Sequence, residues 1–135
     1  MSKEWYLQAY NNGDPQFIPH AQIHAVLSKY PIRIEEAYVV VTIPEGNVDF
    51  YMDCPNEISD IMIAKPLVSP NLNQIIYEIM QCGRFIFFAP DAKFPIVLDS
   101  EVMDHLPIDM LDALGKPKLA DNPIMFSRLL QEMYL

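Results

Sequence analysis

Residues 38–54 read YVVVTIPEGNVDFYMDC, and this stretch decides the fold class. Tyr38 to Ile43 is rich in β-branched side chains, which suit a pleated, half-buried strand. Pro44-Glu45-Gly46-Asn47 has the composition of a turn. Beyond it Val48, Phe50, Met52 and Cys54 alternate with Asp49, Tyr51 and Asp53. A period of two sends the apolar set to a core face and the Asp-Tyr-Asp set to the opposite face of a hairpin.

The neighbouring segments extend this hairpin. Glu57 to Ala64 reads as a third strand with Ile61 and Ile63 on one face. On the other side, Pro19 opens a helix whose Ile23, Val26, Leu27 and Tyr30 share one face and which stops before Pro31. Earlier still, Trp5, Leu7 and Ala9 alternate with Tyr6, Gln8 and Tyr10, and Asn11-Asn12-Gly13-Asp14-Pro15 closes that strand with a turn.

Ser69 and Pro70 form a cap and first turn for a second helix, with a stripe of Leu72, Ile75, Ile76, Ile79 and Met80 ending at Gly83. Arg84 to Ala89 and Phe94 to Leu98 read as a second hairpin. Ser100 to Leu106 reads as a turn or two of helix. Pro107 opens a further one that Gly115 closes, with Ile108, Leu111 and Leu114 facing inward. Asn122 and Pro123 start a last helix whose inner face is Phe126, Leu129, Leu130 and Met133. The order predicts an α+β fold, a mostly antiparallel sheet of about five to six strands covered by three or more helices. The absence of internal repeats and of Gly/Ser or Pro-rich linkers makes residues 1–135 one domain.

Half of the residues are hydrophobic and a fifth are charged, a composition that folds rather than staying disordered. The formal charge of −9 comes from 18 acids against 9 bases. It argues against direct nucleic-acid binding, which needs Lys and Arg to displace counterions from phosphates. The charge is also uneven. Ile34 to Ala64 carries Glu35, Glu36, Glu45, Asp49, Asp53, Glu57 and Asp60 without one Lys or Arg. No uncharged apolar run is long enough to span a bilayer, and the opening residues lack an apolar signal core. Cys54 and Cys82 have no paired spacing, so a reducing cytoplasm is the expected compartment.

Motifs for chemistry are sparse. The glycines at 13, 46, 83 and 115 are isolated, so neither a dinucleotide fingerprint nor a P-loop can be written. His20 and His24 share a helix face at a spacing suited to one metal, but no Glu follows His20 as in H-E-x-x-H and no third ligand is nominated. Cys54 lies on an apolar strand face. Cys82 sits at the negative end of a helix, the wrong place for a thiolate. Asp49 and Asp53, four strand residues apart, stand roughly 13 Å from one another, too far for paired-carboxylate glycosidase chemistry.

The expectation is therefore a protein that is not an enzyme and needs no cofactor or metal. The unusual feature is the acidic tract, and it points to a protein partner with a basic surface, engaged through Glu45, Asp49, Tyr51, Asp53, Glu57 and Asp60. An inhibitor, immunity protein or antitoxin would act this way, with single-sign charge speeding and selecting the encounter. The ordinary alternative is a solvated hairpin face whose acids discourage edge pairing. Two other classes stand beside it: a homo-oligomeric or complex-subunit domain using Met-rich and aromatic faces, and a small metal-binding enzyme using His20 and His24.

Overall fold

The structure is a computed structural model that describes residues 4–52 and 56–133. Along the chain the elements are β1 (Glu4–Asn11), β2 (Asp14–Pro15), β3 (Ile18–Pro19), α1 (His20–Leu27), β4 (Ile32–Ile34), β5 (Tyr38–Ile43), β6 (Gly46–Met52), β7 (Glu57–Ile58) and β8 (Asp60–Ala64). There follow α2 (Pro70–Met80), β9 (Phe85–Phe88), β10 (Ile96–Val97), α3 (Ser100–Met103), α4 (Ile108–Leu114), β11 (Lys118–Leu119) and α5 (Pro123–Glu132).

The main sheet has the order β11-β10-β9-β1-β8-β6-β5-β4, with β2 folded back onto β1. All its pairs are antiparallel except β10 with β11. A separate two-stranded sheet joins β3 to β7. The α+β class and the mostly antiparallel pairing agree with the sequence pattern, but the strand count does not. Among the described residues the main sheet holds nine strands rather than five or six. The surplus comes from segments such as β2, β4 and β11, which have only two or three residues each. Two residues cannot display a period of two, so such strands leave no alternation to read.

The second strand of the hairpin lies in the sheet interior, between β5 and β8. Glu57 to Ala64 divides in two: β7 leaves for the small sheet, and β8 pairs with both β6 and β1. Gly46 starts β6 at φ 146°, and a Cβ there would come within 2.9 Å of Leu67 Cδ1. Both facts favour glycine at this turn.

One sheet face carries Trp5, Leu7, Phe50, Ile61, Ile63 and Phe87, all buried under the helices. Ser69 caps α2 by accepting the Leu72 N–H at 3.2 Å, and its Leu72, Ile75, Ile76 and Ile79 are buried as their spacing predicts. In α5 Asn122 accepts the Met125 N–H at 2.8 Å, and Phe126, Leu129 and Leu130 are buried. Phe87 meets Trp5 edge-on at 5.4 Å and Phe126 at 5.6 Å. These contacts lock the middle of the sheet to the last helix.

Among the described residues, helices cover the other face only at one end. Ile86 and Val97 are buried there beneath Val102 of α3 and Leu106, with Met110, Leu111 and Leu114 of α4 packed around them. The inward face expected for α4 is corrected in part, since Ile108 is 77% exposed and no residue of this helix is fully buried. A helix of seven residues lying along the margin of a sheet can press only one side against it. Among the described residues no helix is long and apolar enough to cross a membrane.

Candidate functional site

The uncovered part of the second face is built from five neighbouring strands. Directly paired residues in a sheet point to the same side. Tyr38 of β5 is opposite Tyr51 of β6, Tyr51 opposite Met62 of β8, Met62 opposite Tyr6 of β1, and Tyr6 opposite Phe88 of β9. These five side chains make one continuous row across the strands, and each is partly exposed. The tyrosines at its far end stack at 4.8 Å between ring centres, and Tyr6 stacks on Phe88 at 5.3 Å. Four strand intervals of about 4.8 Å give the row a length of roughly 19 Å.

Carboxylates flank this row on both sides. On one side Val40, Asp49, Ala64 and Glu4 are paired across β5, β6, β8 and β1. On the other side Asp60 is paired with Gln8, and Gln8 with Ile86. The Tyr6 hydroxyl donates to Glu4 Oε2 at 2.6 Å, and the Tyr10 hydroxyl donates to Gln8 Oε1 at 2.5 Å. The hydrogen bond to Glu4, then burial, then the charges of Glu4 and Asp60 push the Tyr6 phenol above its ordinary value. Burial followed by the charge of Asp60 does the same to Tyr10. Both hydroxyls therefore remain protonated donors at neutral pH, and the negative charge of the face resides on its carboxylates. Arg33 reaches the same side opposite Val40, but its guanidinium pairs with Glu35.

The six residues nominated from the sequence separate in space. Asp49, Tyr51 and Asp60 belong to this face. Glu45 lies in the β5–β6 turn, where it accepts from Asn71 Nδ2 at 3.2 and 3.3 Å, beside the start of α2. Glu57 pairs with Pro19 in the small sheet. Asp53 lies outside the described residues, as does Cys54. Sequence reading did not select Glu4, Tyr38, Met62 or Phe88. The alternation of the first strand did set Tyr6, Gln8 and Tyr10 on one side of it, and β8 joins that stripe to Asp49 and Tyr51. Edge protection does not explain these acids, because β6, β8 and β1 are all interior strands.

The His20 and His24 rings are 6.1 Å apart, and among the described residues no group of three or more His, Cys, Asp or Glu gathers to hold a metal. Burial and then Glu78 push the Cys82 thiol above its ordinary value, which disfavours the nucleophilic thiolate. Among the described methionines, Met80 and Met133 are buried, while Met103 of α3 and Met110 beside Leu111 in α4 pack against the smaller cluster.

Comparison of the chain with protein-family models, with curated proteins and with solved structures finds no match.

Proposed function

We propose that this domain is a non-catalytic interaction protein that engages a basic surface of another protein through its open sheet face. The observation that carries the reading is the partly exposed aromatic row with carboxylates on both sides. Aromatic side chains are enriched at interfaces, where they supply contact area at low entropic cost. Acidic neighbours add attraction for guanidinium and ammonium groups and speed the encounter. Asp49, Tyr51 and Asp60 form the contact set with Tyr6 and Glu4.

An inhibitor, immunity protein or antitoxin fits this chemistry, its carboxylates standing in for the phosphates that a basic groove would otherwise bind. A cytoplasmic location goes with the proposal and is supported by the free thiol of Cys82. A second reading, self-association, is favoured by a different feature: β4 is a sheet edge and its Ile34 is 66% exposed.

The test is capture of partners from the native cell at low salt, with elution by a salt gradient and Asp49→Lys/Asp60→Lys as control bait. A basic protein that leaves with salt and ignores the control supports the proposal. Equal capture by both baits overturns it, and recovery of the chain alone moves the assignment to self-association.

A further inference from the structure

The proposal above leaves open what shape of partner the face accepts, and the geometry points to one. We infer that the open face receives an amphipathic helix of a protein partner, with an apolar seam lying on the aromatic row and Lys or Arg along both flanks. This inference rests on the reading of the face as a basic-partner site and names the form of the partner.

Backbone hydrogen bonding favours a helix. β6, β8 and β1 each have a neighbour on both sides, so their ladder groups are already used within the sheet. An extended segment laid across this face would find no backbone partners, and its own N–H and C=O groups would lose water without replacement. Extended segments add instead to sheet edges. A helix satisfies its backbone internally and needs only side-chain contacts.

The dimensions agree. A row of roughly 19 Å matches about 13 helical residues at 1.5 Å each. Helix neighbours at i, i+3 and i+4 are about 5–6 Å apart, close to the strand interval of about 4.8 Å, so successive anchors meet successive strands. Alternate residues of an extended chain, at about 6.8 Å, fall out of step. Asp49 and Glu4 lie two strand residues to one side of the row and Asp60 two to the other. This leaves about 14 Å between the acidic flanks, room for a helix about 10–12 Å wide. Beyond Phe88 the row ends against the cluster that α3 and α4 cover, since Phe88 also packs there.

Charge excludes the main competitors. A second copy docked face to face would set acidic flanks against acidic flanks, and anionic lipid headgroups would meet the same repulsion.

The test uses three synthetic peptides of about 18 residues, long enough to cover the row. Two contain the same Leu and Lys residues, one arranged with helical spacing and one strictly alternating; the third is the helical arrangement with Glu for Lys. Each is titrated into the intact chain and followed by the Met62 methyl resonance, so the measurement does not depend on any variant folding. The helical Lys peptide is expected to bind at least about tenfold tighter than either of the others and to gain helicity on binding. Tyr6→Ala/Tyr51→Ala, checked for native circular dichroism, is expected to weaken it about tenfold. Equal or tighter binding of the alternating Lys peptide, with binding lost in Asp49→Asn/Asp60→Asn, overturns the helix while leaving the basic-partner reading intact. Binding of the Glu peptide as tightly as the Lys peptide, or no movement of the Met62 methyl with any peptide, overturns both.

Discussion

The Tyr6 hydroxyl donates to Glu4 Oε2 at 2.6 Å, tying the central row of the open face to a carboxylate of the row beside it. The Glu4 charge strengthens this bond while the phenol keeps its proton and repels the phenolate.

Alkaline titration reads out this pair. The Tyr6 phenol is held above its ordinary value of 10.0, so the folded state prefers the neutral form. The resulting stability is complete below pH 10 and is lost as pH rises through the higher folded value. Absorbance titration of Tyr6→Phe is expected to shrink the late-ionising part of the wild-type curve to the share that Tyr10 contributes, and Glu4→Gln is expected to move the Tyr6 share to lower pH. An unchanged late phase in Tyr6→Phe would remove Tyr6 from this role.

Cys82 is expected to be a slow nucleophile. Its Sγ lies 3.5 Å from the Glu78 carbonyl oxygen, and burial and the Glu78 charge hold the thiol above its ordinary value of 9.0. In a Cys54→Ser background, the alkylation rate by iodoacetamide rises with a midpoint above pH 9, and Glu78→Gln lowers that midpoint. A midpoint below that of a free cysteine would contradict this environment.

The edge-on pair of Phe87 and Phe126 joins the sheet to α5. Each is fully buried, so truncating either to Ala is expected to cost about 3–5 kcal/mol in urea unfolding. Because the rings touch, the double variant is expected to cost less than the two singles together, by about 0.5–1.5 kcal/mol. Strict additivity would show that the rings do not couple.

Much of this packing could be read in advance. The stripes of α2 and α5 and the alternation of Trp5, Leu7 and Ala9 are local patterns that reappear as buried faces, and the caps Ser69 and Asn122 reappear as hydrogen bonds at the starts of those helices. The open face was only half legible for the opposite reason. Asp49 and Tyr51 announced themselves by alternation, but their relation to Tyr6 exists only because β8 pairs with both β6 and β1, a long-range choice with no local mark. Glu45 and Glu57 belong to the same acidic tract in sequence, yet the β5–β6 turn and the departure of β7 carry them elsewhere.

His105 holds the tip of the β1–β2 hairpin. Its Nδ1 accepts the Asn12 N–H at 3.0 Å and its carbonyl accepts the Gly13 N–H at 2.9 Å. Asn12 has φ 51° and Gly13 φ 86°, so this turn benefits from an external hold. His105→Ala is expected to speed hydrogen exchange at the Asn12 amide about tenfold or more, with less effect at Gly13, where the backbone bond remains. Uniform acceleration across α2 and β8 instead would assign His105 to global stability.

The central place of β1 has a consequence during synthesis. Its residues leave the ribosome before either neighbour, and Tyr6 gains its two flanking partners only once Met62 and then Phe88 have been translated. Until then Trp5 and Leu7 lack the sheet and helices that later bury them, and the aromatic row is incomplete. The row is therefore completed only when Phe88 has been translated, although its first member is among the first residues made.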